Sequence, residues 1–351
     1  RPTVAVDSFL RSILQVVGVV VAGSIGATAA GLAGGWMLPY VATGILAVVV
    51  AVRTIRRRSR TWPEHAAGDR SAVRREFWLY TWPRGVARMA QIAIQRADII
   101  IVAALISPAA AAVYTAATRF VVLGQFASMA IHRVLRRRRT CLLSGDERDT
   151  VRDVFKVSTG WGSSMGWPLY LVTACAAPLY LQIFGSGYRA DGVPVVVVMA
   201  IGMMFAMAAG PLDTLLPVAG GSTASLVNTI VALVVDIGLC FVLIPSWGIT
   251  GAAVAWASSV MVRNTLTFVQ VYRLNRVTPF SRGATVVAVA SIACFAVPLL
   301  VAGALTELTA VVAVTVVLLG SVAYAGILWV EREPLALSAF GALVGRRGAT
   351  P

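Results

Sequence analysis

Lysine is almost missing from this chain: of 30 basic residues only Lys156 is lysine. With so much Ala, Val and Gly beside the arginines, that bias reads as a GC-rich genome rather than as chemistry. Histidine is nearly as scarce. His65 and His132 stand alone in basic stretches, so no metal-ligand spacing is built on imidazole. The four cysteines, Cys141, Cys175, Cys240 and Cys294, are far apart and form no CxxC pair, which excludes a zinc or redox motif. They read as small packing residues. Charge is low overall, 13% of residues against about 25% in soluble proteins. The carboxylates are few and dispersed. No phosphate-cradling glycine loop, Ser-His-Asp set or metalloprotease motif is present, so no enzyme, metal or cofactor is expected.

Long apolar runs take the place of what is missing. The chain is 351 residues long and 58% hydrophobic, with a mean hydropathy of +0.81. Runs of about 20 apolar residues, enough to cross a bilayer, recur throughout. The alternating segments of a β-barrel do not. The expected fold is all-α, a polytopic transmembrane bundle of about ten spans. These are Leu10–Leu32, Trp36–Val52, Pro83–Ile106, Ala109–Ile131, Val157–Phe184, Val193–Pro217, Ala224–Ile244, Ile249–Val271, Ala284–Leu305 and Ala310–Val330. Gly34–Gly35 reads as the first turn, Pro168 and Pro178 as breaks in the fifth span, and GSGYRADG (residues 185–192) as a loop.

The formal net charge of +15 would suggest nucleic acid in a soluble protein. Here it follows topology. Eight basic residues stand in the loop after the second span and eight in the loop after the fourth. With those loops inside, only Arg189 of the loop arginines falls outside, which predicts both termini in the cytoplasm. The run Arg136–Arg139 is a topology signal that would also attract anionic lipid. Spans one and two share a plan with spans seven and eight: two apolar helices, a glycine turn, then arginines.

The third span is the chemically unusual one. Arg84, Arg88, Gln91, Gln95 and Asp98 recur at steps of three and four and so share a helix face. A charge in mid-membrane costs about 3 kcal/mol on insertion scales. Such a stripe must face a cavity, a partner helix or a substrate. Arginine suits phosphate through its planar fork of donors. Asp98 and Arg119 lie at similar depth on helices joined by a tight turn, which predicts an ion pair, structural or gating. Asp236, Asn228, Asp213, Arg263 and Asn264 are the other polar groups within spans.

From Asp98 onward the chain resembles the polysaccharide-transporter, or oligosaccharide flippase, branch of the multidrug/oligosaccharidyl-lipid/polysaccharide exporter superfamily. The resemblance is carried by RADIIIVAALISPAAAAVYTAATRF (Arg96–Phe120), LQIFGSGYRADGVPV (Leu181–Val195) and GPLDTLLPVAGGSTASLVNTIVALVVDIGLCFVLIPSWGITGAAVAWASS (Gly210–Ser259). It implies two six-helix lobes with an appended helix pair. On that template residues 1–58 are the last two helices of the N-terminal lobe, without its first four. Residues 59–76 are a basic cytoplasmic loop, 77–282 the C-terminal lobe, and 283–351 the appended pair and tail. The basic IHRVLRRRRTCLL departs from the family pattern.

The implied function is flipping of polyprenyl-diphosphate-linked oligosaccharide across the cytoplasmic membrane for cell-envelope polysaccharide synthesis, by alternating access. Arg84, Arg88, Gln91, Gln95 and Arg263 would bind the substrate. Asp98, Arg119 and Asp236 would couple or gate. Membrane lipids, a polysaccharide polymerase and glycosyltransferases are the expected partners, and nucleic acid is not. The alternatives are a non-transporting remnant, a half-transporter needing a partner chain, and a drug exporter of the same superfamily.

Overall fold

The computed structural model describes residues 2–26, 28–59, 75, 78, 96–122, 148–210, 212, 216, 222–275, 282–305 and 309–331. Among these nearly every residue is helical and none lies in a strand. The chain divides into two compact units, Arg1–Trp82 and Pro83–Pro351.

In the first unit, α1 (Pro2–Ser24) and α2 (Ala29–Ser59) form a hairpin. Pro2 opens α1, where a missing N–H costs nothing. The turn falls at Gly26, whose φ of +67 favours glycine, and not at Gly34–Gly35 as the glycine pair suggested. Gly35 lies inside α2 against Gly18 of α1. A Cβ on either would stand 2.6 or 2.7 Å from the other's carbonyl oxygen. In membrane helices small residues mark close crossings as often as turns, which is why the pair misled. Pro39, four residues on, cannot donate to the Gly35 carbonyl, and that carbonyl is the one directed at Gly18.

The second unit opens with α3 (Ala97–Leu105) and α4 (residues 108–122). Ser107 caps α4, its hydroxyl accepting from the Ala110 N–H at 3.1 Å, and Pro108 follows at the first helical position. The long α5 (Arg148–Cys175) runs into the short α6 (Ala177–Leu181), with a bend of 55° between the stretches 159–175 and 177–184. A 3-10 turn (Gln182–Phe184) and Gly185, φ +128, lead to α7 (Ser186–Ala209). Residues 186–192, expected as loop, therefore belong to a helix. Next comes α8 (Ser222–Asn275), two arms folded at Gly248 (φ 57, ψ −141). Last are α9 (Arg282–Ser291), a π turn (Ile292–Ala296), α10 (Val297–Leu305) and α11 (Ala310–Val330). The stretch 223–273 alone is 51 residues of largely apolar helix, two spans' worth at about 1.5 Å per residue.

Small residues let these helices approach. Ala252 and Ala253 on α8 are fully buried, and a Cβ on Gly202 of α7 would stand 3.0 Å from that of Ala257. The arms of α8 are pinned at the end away from Gly248. Asn228 Nδ2 donates to Gln270 Oε1 (2.7 Å) and Thr267 Oγ1 (3.2 Å), while Gln270 Nε2 donates to Asn228 Oδ1 (2.9 Å).

Only one of the two prolines in the fifth span breaks it. The bend is at Ala176, and Pro178 follows in the first turn of α6. Pro168 sits inside a continuous α5. It removes the N–H that would serve the Ser164 carbonyl four residues earlier. The Tyr324 hydroxyl of α11 replaces it, donating to Ser164 O at 2.9 Å. Tyr324 is itself approached by the Ser291 hydroxyl at 3.4 Å and packs edge-on against Phe295 in the π turn. Tyr324→Phe should therefore lower stability by about 1–3 kcal/mol, the cost of stranding a buried acceptor. Adding Pro168→Ala, which restores the backbone donor, should recover most of the loss. Equal unfolding temperatures for Tyr324→Phe and the parent chain would refute this exchange of donors.

Candidate functional site

The described part of the third span begins at Arg96. Arg96 has φ −133 and ψ −13, outside helical geometry, and α3 starts at Ala97. Asp98 thus stands on a helix that begins at Ala97. Arg84, Arg88, Gln91 and Gln95 lie outside the described residues. That start puts Asp98 in the first turn of α3, where the helix dipole favours a negative charge.

Asp98 is 4% exposed. Its Oδ1 accepts from the Ile99 N–H at 2.8 Å, and its Oδ2 accepts from the Tyr114 hydroxyl at 2.7 Å. Tyr114, on α4, is fully buried. The expected ion pair with Arg119 does not form; Arg119 is exposed. Five residues separate Tyr114 from Arg119, about 140° around a helix of 3.6 residues per turn. The helix that aims the phenol at Asp98 must aim the arginine away. Similar distance from the turn does not make a pair when the helix phase points the two side chains apart. Tyr114 was visible only as part of a motif, although a tyrosine at matching depth across a two-residue turn was a usable signal.

Asp236 comes from the first arm of α8. It is completely buried, and neither carboxylate oxygen has a hydrogen-bond partner among the described residues. It lies close enough to Asp98 for the two carboxylates to repel, and both act on Tyr114. The Cys240 thiol, one turn further along α8, feels both carboxylates. Two buried carboxylates with a phenol between their helices form a group that can share a proton or take a small cation. Buried charges are otherwise costly without a partner. The remaining candidate, Arg263 on the second arm of α8, is half-buried with its Nε enclosed, and its carbonyl accepts from Thr267 Oγ1 at 2.8 Å. The described cysteines, Cys175, Cys240 and Cys294, are free thiols.

Long apolar helices, a bent helix pair and ionisable groups buried between helices define a polytopic helical membrane-protein fold. The sequence matches no family model and no curated protein. Among solved structures the chain is similar to one described as "Lipid II flippase MurJ, inward closed conformation". The TM-score is 0.69 at 11% identity, over 95% of this chain and 68% of that one. At that identity the similarity is one of fold.

Proposed function

We propose that this protein flips a polyprenyl-diphosphate-linked glycan across the cytoplasmic membrane for cell-envelope polysaccharide assembly. The observation that carries the reading is the match of nearly the whole chain to the fold of a lipid flippase. The buried Asp98–Tyr114–Asp236 group supports an ion-driven cycle. A proton or small cation bound between α3, α4 and α8 neutralises the carboxylates, and its release restores their repulsion. Such a site has two arrangements of different energy, as alternating access requires. Arg119, exposed and turned away from Asp98, joins Arg84, Arg88, Gln91, Gln95 and Arg263 as a group available to the diphosphate. Termini in the cytoplasm and work alongside a polymerase and glycosyltransferases belong to the same reading.

The test is transbilayer movement of a fluorescent undecaprenyl-diphosphate sugar in proteoliposomes, with and without a proton or sodium gradient. The wild-type chain should move the probe, and one gradient should accelerate it. Asp98→Asn should lose that acceleration while still binding the probe. Movement that ignores both gradients would remove the coupling role. No movement by the wild type, at any gradient, would remove the flippase reading for this substrate class.

A further inference from the structure

The relocated turn at Gly26 changes the position of Arg11. With the first span drawn from Leu10, Arg11 was a headgroup residue. In the structure it lies within α1, nine residues from Pro2 and thirteen from Ser24. At 1.5 Å per residue that is about 14 and 20 Å from the helix ends. A charge at such depth needs compensation and marks a functional site by default.

Part of the compensation is visible. The Arg11 guanidinium carbon stands 4.9 Å from the centroid of the Tyr40 ring on α2. The negative face of the ring stabilises the cation, and the contact consumes none of the five N–H donors. One turn along α1, Gln15 is 7% exposed and donates to the Trp36 carbonyl at 3.5 Å. That contact helps hold α1 in register with the turn of α2 that carries Trp36 and Tyr40. Both aromatics keep about half their surface exposed, 49% and 47%. Arg11 is half-buried. The unit thus presents an arginine backed by a ring, its donors unspent by that contact, beside exposed aromatic surface. Asp7 stands one turn before Arg11 on the same helix.

We infer that Arg11, positioned by Tyr40, is a phosphate-binding station in the first unit. Its ligand is the phosphate of a membrane lipid. A planar guanidinium already oriented on a ring meets phosphate oxygens in pairs, which an ammonium cannot do. The inference goes beyond the transport reading, because it claims phosphate recognition whether the lipid is cargo or a bilayer phospholipid.

The full chain in phosphatidylcholine nanodiscs should be titrated separately with undecaprenyl diphosphate and with phosphatidylglycerol, binding being read by native mass spectrometry. Arg11→Gln should weaken at least one of the two by about tenfold, the loss of one charge-assisted pair. Arg11→Lys should fall between the two, Tyr40→Leu should weaken binding several-fold, and Tyr40→Phe should bind as wild type. Asp7→Asn should not weaken it. Loss confined to undecaprenyl diphosphate assigns the station to cargo; loss confined to phosphatidylglycerol assigns it to a bilayer lipid; either supports it. Wild-type affinity of Arg11→Gln for both lipids overturns it. So does an Asp7→Asn loss as large as that of Arg11→Gln, which would make Arg11 a structural partner within its own helix. Should Arg11→Gln not fold, the lysine and Tyr40 variants decide. The transport reading fails separately: a chain that binds through Arg11 and moves no labelled lipid keeps the station and loses the flippase.

Discussion

Asp236→Leu should make the protein more stable and abolish gradient-driven transport. Asp236 is a costly group: completely buried, without a hydrogen bond on either oxygen among the described residues, and close to a second carboxylate. Replacing a buried charged group by an apolar one of similar volume is often stabilising, by about 1–4 kcal/mol. Val102, Tyr114 and Cys240 belong to the fully buried core around it, so an isobutyl group meets an apolar setting. The measurements are the unfolding temperature in detergent and gradient-dependent movement of the lipid-linked probe. A higher temperature with transport lost means that the carboxylate is kept for function at the expense of stability. A lower temperature with transport intact would reverse the assignment and make Asp236 a structural group.

Tyr114→Phe should cost about 1.5–3 kcal/mol, the range for a hydrogen bond to a charged group. The phenol is the only side-chain donor to Asp98 among the described residues, at 2.7 Å, and its removal leaves Oδ2 buried and unmet. Asp98→Asn should also destabilise, and the double variant should lose much less than the sum, because both substitutions break one contact. Arg119→Gln is the control. Exposed and directed elsewhere, it should change stability by no more than about 0.5 kcal/mol and show no coupling to Asp98→Asn. Coupling between Asp98 and Arg119 as strong as that between Asp98 and Tyr114 would restore the ion pair that helix phase argues against.

These contrasts show where the chain was legible. Its helical character could be read because apolar runs of spanning length leave few alternatives, and the turn at Gly248 because proline and glycine stand together there. Asp98 and Asp236 were found because a carboxylate within a span is rare enough to need a reason. What went unread depended on geometry that composition does not carry. The partner of Asp98 needed the rotation of α4. The start of α3 at Ala97 needed a backbone angle, since the side-chain pattern runs through it without interruption. Gly34–Gly35 looked like a turn because glycine serves turns and close crossings alike, and that one choice moved Arg11 out of the membrane. Pro168 looked like a break because the residue that rescues α5 lies 160 positions later.

That distance bears on how the protein is made. A ribosome delivering the chain from its N-terminus releases α5 well before α11. Until Tyr324 arrives, the Ser164 carbonyl has neither its helical donor nor the phenol, and in hydrocarbon no water serves it instead. Up to that moment α5 is a helix with a soft point at Pro168, packed against α7 and α9 but without the phenol. Completion of the second unit is thus postponed until α11 is inserted. A chain stalled before Tyr324 leaves behind a pliable intermediate that quality-control proteases can recognise.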